Sequence, residues 1–346
     1  VRRVHQHRRG GVEGRQGGLT EVLPFTFSRA TDEKSALAAG RSGARYIAGG
    51  TTLVDLMRET VEHPGAVVDI NALPYRDIDL DGGRLRVGSL VRMTDLATHP
   101  GLRQAYPVLA QALELSASAQ LRNMASIGGN LMQRPRCLYF RDVSAPCNRR
   151  SPGSGCGAIS GLNRTHAILG ASDQCVATHP SDLAVALVAL DAVVIARDSG
   201  GDRRIPVGQF FRQPGSTPDH EHDLRPGELI VAVEVPAGPE MRRSGYLKVR
   251  DRQSYEFALA SAAVALDVTA GVVRAARVAV GGVATVPWRL PAVEQAVIGQ
   301  PVSPALWTAA AARAADGAKP LSNNGFKLEL IRRTVERQLA AVAALR

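Results

Sequence analysis

The sequence predicts an α+β protein of two domains, the first two-lobed and the second a sheet with helices packed on it. Three observations carry this expectation. Short apolar strand segments alternate with helical spacings in both halves, with no repeat of fixed period; a Pro/Gly-rich boundary lies near residues 236–240; and the chain closes on a single apolar stripe. With 346 residues, 45% hydrophobic and 21% charged, the chain can bury one or two substantial cores.

Residues 1–18 are basic and Gly-rich without an apolar stretch, and they read as a disordered leader. A two-lobed domain is expected over 19–236. In it, Arg45-Tyr46-Ile47 runs as a strand into Ala48-Gly49-Gly50-Thr51-Thr52, after which Leu53, Leu56 and Met57 fall at helical spacing. Ala66–Ile70 reads as a short buried strand, and Leu80–Val87 as a hairpin turning on Gly82-Gly83. Leu109, Leu113 and Leu115 mark a helix between Pro107 and Ser118, and a second glycine turn follows at Ser126-Ile127-Gly128-Gly129-Asn130. From Gln133 to Thr178 (133–178) the texture is Arg, Pro, Gly, Asn and Cys, an irregular insertion. Regular structure resumes with a helix through Leu183, Leu187 and Leu190, a strand at Val193–Ile195 that runs to a turn at Asp198–Gly201, and a strand at Ile230–Val235. The second domain, 240–346, pairs Ala262–Leu266 with Val278–Val283 across Gly271. It ends in a helix whose Leu328, Ile331, Val335, Leu339 and Val342 form one stripe.

The net charge of +10 is uneven: five arginines against Glu13 put four of those charges in the leader. Aromatic residues are only 4%, and no basic run is interleaved with Tyr or Phe outside the leader, which argues against a nucleic-acid partner. No run of eighteen apolar residues occurs, so no membrane span is expected. The paired arginines of the leader lack the apolar stretch of an export signal.

Glycine turns between a strand and a helix let backbone N–H groups approach phosphate oxygens, because no Cβ stands in the way. Gly49-Gly50 and Gly128-Gly129 both qualify, and Thr51, Thr52, Ser126 and Asn130 beside them can bond phosphate or ribose. Neither turn has the spacing of a Rossmann or P-loop motif. A plain structural bend is the alternative for each. The four cysteines stand as Cys137-x9-Cys147-x8-Cys156-x18-Cys175, without the close pair on which structural zinc rests. Buried free thiols are one reading. Four thiolates on one iron-sulfur cluster is the other, favoured because a loop with Arg149, Arg150, Pro152, Gly153 and Gly155 has little apolar matter to hold it. His166 and His179 flank the last cysteine as ligands or as structural groups, and Asp182 is an N-cap or a ligand. No catalytic arrangement of Ser/His/Asp or paired carboxylates is legible, and no catalytic residue is assigned.

Taken together, these residues resemble the FAD-binding subunit of the molybdenum hydroxylases, the xanthine dehydrogenase and carbon monoxide dehydrogenase group, over nearly all of residues 20–346. Ile47-Ala48-Gly49-Gly50-Thr51-Thr52-Leu53 is similar to that family's first pyrophosphate loop and Ala125-Ser126-Ile127-Gly128-Gly129-Asn130 to its second. Pro180-Ser181-Asp182 is similar to the Asp element that follows, Pro226-Gly227-Glu228-Leu229-Ile230 to the strand entrance near the flavin ring, and Lys248 to the flavin-contacting lysine. In most of the family the second loop runs directly into the Asp element, whereas here fifty-one residues holding every cysteine separate Asn130 from Asp182. That insertion resembles the flavin and [4Fe-4S] subunit of the bacterial three-subunit aldehyde oxidoreductases.

The resemblance implies FAD held by Ile47 to Leu53, Ser126 to Asn130, Asp182, Leu229 and Lys248, and a [4Fe-4S] cluster on Cys137, Cys147, Cys156 and Cys175. It further implies a heterotrimer, in which a large molybdenum-cofactor subunit oxidises an aldehyde and a small [2Fe-2S] subunit passes electrons to this flavin. A one-electron acceptor such as ferredoxin would then receive them. The location implied is cytoplasmic, or periplasmic by co-export with a partner subunit. Two alternatives stand beside this reading: the FAD subunit of an NAD-linked xanthine-type dehydrogenase, and a non-catalytic zinc- or nucleotide-binding module.

Overall fold

A computed structural model describes residues 22–80 and 84–345. The leader expected over 1–18 and the hairpin turn at Gly82-Gly83 lie outside the described residues. The fold is α+β. Its first lobe is a parallel sheet of β1 (Thr26–Arg29), β2 (Arg45–Ile47) and β3 (Ala66–Asp69) in the order β1-β3-β2. Parallel neighbours need crossovers, supplied by helices Glu33–Arg41 and Leu53–Arg58. The first of these starts at a capping box in which the Asp32 carboxylate accepts from the Ser35 N–H at 2.7 Å.

The second lobe is an antiparallel sheet of β4 (Ile78–Asp79), β5 (Leu85–Gly88), β6 (Val193–Asp198), β7 (Gly201–Pro206) and β8 (Leu229–Val235), ordered β4-β5-β8-β6-β7. All seven residues of β8 are buried, as a central strand covered on both faces requires. Helix Pro107–Glu114 and helix Asp182–Ala189 pack in this lobe, and every residue of the latter is buried. Its apolar side chains share one core with Leu109, Val194, Val233 and, from the C-terminal sheet, Ala263 and Ala279.

The third sheet comprises β9 (Ser244–Val249), β10 (Ala260–Thr269), β11 (Val272–Gly281) and β12 (Trp288–Arg289) in the antiparallel order β12-β11-β10-β9. Gly271, at φ +74°, turns β10 into β11, and Val264 pairs with Val278. Helix Lys327–Ala343 buries Ile331, Val335, Leu339 and Val342 in the same cluster as Leu266 and Val280; Leu328 is only partly buried.

Two local expectations are corrected. The second glycine element is not a turn between strand and helix: helix Ala119–Met124 precedes it, and Gly128-Gly129 lie in the short helix Ile127–Leu131, capped by the Ser126 hydroxyl at 3.1 Å from the Gly129 N–H. Asp182 is not the N-cap of its helix; Ser181 is, accepting from the Ala184 N–H at 3.0 Å, which frees Asp182 for partners elsewhere.

The terminal helix also anchors the insertion. Lys327, fully buried, donates to the carbonyls of Thr165 (2.9 Å), His166 (3.0 Å) and Gly282 (2.6 Å), and Asn324 donates to those of His166 and Ala167. Burial pushes the Lys327 ammonium down to about 7. Its three N–H bonds meet three acceptors; without it the His166 carbonyl keeps Asn324 and the Thr165 carbonyl keeps the Thr178 hydroxyl at 3.5 Å, while the Gly282 carbonyl loses the ammonium donor. Lys327→Met is expected to lower stability by about 1–3 kcal/mol, the cost of lost buried hydrogen bonds, read from the urea midpoint. An unchanged midpoint contradicts this account.

Candidate functional site

A cavity of about 770 Å³ opens between the two lobes of the first domain. Ile47, Ala48, Gly49, Gly50, Thr51, Thr52 and Leu53 line it from the end of β2, Ser126, Gly128 and Gly129 from the short helix, and Leu229 from the start of β8. The two glycine elements thus face one space. The glycines differ in what requires them. A Cβ on Gly49 would collide with the Met124 carbonyl and one on Gly128 would meet the Ser89 side chain at 2.9 Å, so both are needed for the segments to pack. Gly50 holds φ +72°, which L side chains rarely adopt. Gly129 is exposed, and only the Ser126 Oγ, at 3.0 Å, stands near its missing Cβ. Packing therefore does not demand a glycine at 129, which lines the cavity.

Of the remaining residues singled out in the sequence, Ile127 is buried in the core, and Asn130 lies behind the cavity with its side chain accepting from the Ser181 hydroxyl at 2.5 Å. Asp182 and Lys248 are brought together but not onto this cavity. Lys248 Nζ donates to Asp182 Oδ2 at 2.7 Å and to the Leu115 carbonyl at 3.1 Å, while the Tyr246 hydroxyl donates to Asp182 Oδ1 at 2.7 Å and Ser116 Oγ reaches Oδ2 at 3.1 Å. Burial, with the Asp182 charge beside it, pushes the Tyr246 phenol well up, so it stays a donor. Asp182 lines a second cavity of about 230 Å³, which it shares with Tyr246, Phe257, Arg136, Cys137 and His166.

The cysteine segment is held by a small apolar cluster, in which Phe140 and Cys147 meet Leu56 and Val61, and by many polar contacts. The Arg150 guanidinium donates to the carbonyls of Tyr139 (2.8 Å), Phe140 (2.7 Å), Val143 (3.4 Å) and Ala145, closing the single-turn helix Leu138–Arg141. Asn148 accepts from the Gly155 N–H at 2.8 Å and donates to the Gln174 carbonyl at 3.1 Å; Gly153 and Gly155 take φ +85° and +95°. Cys147 and Cys156 face each other across a short antiparallel bridge. All four cysteines are free of disulfides and line one small cavity together with Asn148 and Arg149. Burial pushes the Cys137 thiol up to about 12, against the N–H groups of Phe140 and Tyr139 that bond its sulfur, and burial likewise raises Cys156 against the N–H groups of Ala158, Val176 and Ile159.

His166 sets its Nε2 3.1 Å from Cys137 Sγ, and His179 lies edge-on to Phe211 with ring centroids 4.5 Å apart. Burial pushes them down to about 4 and about 3, so both rings are neutral at ordinary pH. Among the described residues, no three of His, Cys, Asp and Glu are set to hold a single metal ion. Four thiols around one small cavity are the donor type that an iron-sulfur cluster takes. N–H···S bonds and a buried Arg149 Nε without a partner supply the donors that cluster sulfurs accept from.

Sequence reading missed the charged groups joining these sites. Arg134 donates to Glu62 at 2.9 Å and to Glu221 at 2.8 Å, and Arg149 approaches the other Glu221 oxygen at 3.3 Å and Cys175 Sγ at 3.6 Å. Their partners lie up to eighty-seven positions away in the chain, so no local pattern betrays them.

A family model described as the FAD binding domain in molybdopterin dehydrogenase matches residues 23–238, and one described as the CO dehydrogenase flavoprotein C-terminal domain matches residues 245–342. The chain belongs to the family of FAD-binding subunits of the molybdenum hydroxylases. Within it, the chain is similar to the aldehyde oxidoreductase FAD-binding subunit PaoB of Escherichia coli strain K12, 47% identical over 92% of this chain and 98% of that protein. It is also similar to the glyceraldehyde dehydrogenase medium chain of Sulfolobus acidocaldarius, at 28% over 80% of this chain and 82% of that one. The fold matches that of carbon monoxide dehydrogenase from Hydrogenophaga pseudoflava with a TM-score of 0.73, at 22% identity over 94% of this chain and 99% of the other.

The Asp182–Lys248 pair gives a direct test of the seam it occupies. The two side chains are only 6% and 1% exposed, so Lys248→Met buries an uncompensated carboxylate. The expected loss is about 3–5 kcal/mol by denaturant titration, partly recovered in a Lys248→Met/Asp182→Asn double variant. A single variant as stable as the parent overturns this assignment.

Proposed function

We propose that this chain is the electron-transfer flavoprotein subunit of a molybdenum-dependent aldehyde oxidoreductase, with FAD in the large cavity and a [4Fe-4S] cluster on Cys137, Cys147, Cys156 and Cys175. The gathering of four cysteines, scattered along an irregular segment, onto one cavity carries the reading. The similarity to an aldehyde oxidoreductase FAD-binding subunit over nearly the whole chain supports it. The FAD domain ends at residue 236 and the C-terminal domain begins at 240. Among the described residues no helix is long and apolar enough to cross a membrane.

In this reading Gly49, Gly50, Gly128 and Gly129 bring backbone close to the pyrophosphate, with Thr51, Thr52 and Ser126 as hydroxyl partners. Ile47, Ala48, Leu53 and Leu229 wall the cavity, and Ile127 and Asn130 hold the short helix in place. Asp182, paired with Lys248, stands off that cavity and lines the second one together with Cys137. In the large cavity FAD would take up an electron pair and release single electrons, and the cluster would carry them one at a time. The aldehyde is oxidised in a large molybdenum-cofactor subunit, a small [2Fe-2S] subunit feeds this chain, and a one-electron acceptor such as ferredoxin receives the product electrons. An NAD-linked enzyme would instead reduce NAD rapidly once assembled.

Gly129→Val tests the FAD site, since no neighbour but Ser126 Oγ opposes the added side chain while the cavity face is filled. The variant is expected to fold with an unchanged far-ultraviolet spectrum and to lose at least nine-tenths of its bound FAD. Stoichiometric FAD in that variant contradicts the assignment.

For the cluster, anaerobically prepared protein is expected to contain about four irons per chain and to give a cluster EPR signal on reduction. Cys156→Ser should lose most of that iron while retaining FAD. One zinc per chain, or no metal beside an intact flavin, refutes the cluster.

A further inference from the structure

Arg149 is the one guanidinium within reach of a cysteine sulfur among the described hydrogen bonds. It is 5% exposed, with Nη2 at 3.6 Å from Cys175 Sγ, Nη1 at 3.3 Å from Glu221 Oε2 and an Nε that has no protein partner. It lines the cysteine cavity, whereas Glu221 lines the large cavity assigned above to FAD. A buried ion pair therefore stands between the two sites with its cation toward the cysteines and its anion toward the flavin. Arg134 fixes this orientation: it donates to Glu221 at 2.8 Å, to Glu62 at 2.9 Å and to the Arg149 carbonyl at 3.4 Å.

We infer that the Arg149–Glu221 pair biases electron flow from flavin to cluster, Arg149 being a positioning residue that raises the cluster's potential; this rests on the cluster reading above. One electron leaves the reduced flavin, which is oxidised, and enters the cluster, which is reduced; no bond forms or breaks. The reduced cluster carries one more negative charge on its iron and sulfur atoms, so a cation and an N–H···S donor at Cys175 favour it over the oxidised form. Burial leaves this charge poorly screened by salt. Glu221 acts oppositely: it tempers Arg149 and, on the flavin side, disfavours added negative charge.

The test is an EPR- and absorbance-monitored redox titration of the FAD- and iron-loaded protein with Arg149→Met and Glu221→Gln. At the poise where the parent cluster is half reduced, Arg149→Met is expected to lower its reduced-to-oxidised ratio about tenfold, about 59 mV for one electron. Glu221→Gln, which touches no cysteine, is expected to raise that ratio severalfold and to raise the reduced fraction of flavin as well. A loosened loop would move both variants in the same direction, so the opposite signs separate charge from structure. Ratios within twofold of the parent in Arg149→Met with full iron, or a fall in Glu221→Gln, overturn the inference. If Arg149→Met loses its iron, the sign in Glu221→Gln decides alone. Parent protein without iron overturns the cluster reading itself, which is a different result from iron-loaded protein whose potential does not move.

Discussion

The structure depends on one small polar junction, the hydrogen bond from the Ser181 hydroxyl to the Asn130 side chain at 2.5 Å. Asn130 ends the second glycine element and Ser181 begins the buried helix, so this contact closes the loop of fifty residues, 131–180, that carries every cysteine. Closing such a loop costs chain entropy, and the cost is met where both ends are already fixed by neighbours. Ser181 caps Asp182–Ala189, and Asp182, one residue on, takes Tyr246 and Lys248 from the C-terminal sheet. Two consecutive residues therefore join the glycine element, the insertion and the second domain.

Around that junction the molecule uses charge where a core would be too thin. Arg134, Arg149 and Arg150 are drawn inward and find carboxylates, carbonyls or a sulfur, with the Arg149 Nε left over. A guanidinium serves here better than an ammonium, because its planar donors span several acceptors at once. Lys327 shows the complementary case, a compact ammonium seated in three carbonyls.

What could be read in the sequence is what local pattern controls. The stripe through Ile331, Val335, Leu339 and Val342 and the strands on either side of Gly271 lie where spacing put them, since burial of one face is written in the residues themselves. The glycine element at 126–130 differs from its expectation because Gly-Gly suggests a turn, whereas the Ser126 hydroxyl caps a short helix that includes both glycines. Of the two roles open to Asp182, cap or ligand, the cap falls to Ser181, and its partners Tyr246 and Lys248 stand sixty-four and sixty-six positions away, beyond local pattern. Buried arginines in the insertion look, in sequence, like any solvated loop. Only the tertiary structure reveals which of them face Glu62, Glu221 or Cys175.

The terminal helix supplies the floor on which residues 163–167 rest, through Asn324 and Lys327. A chain leaves the ribosome from its N-terminus, so the cysteines emerge well before that floor exists. Residues 165–167 therefore take these supports only once residues 324–327 have been made.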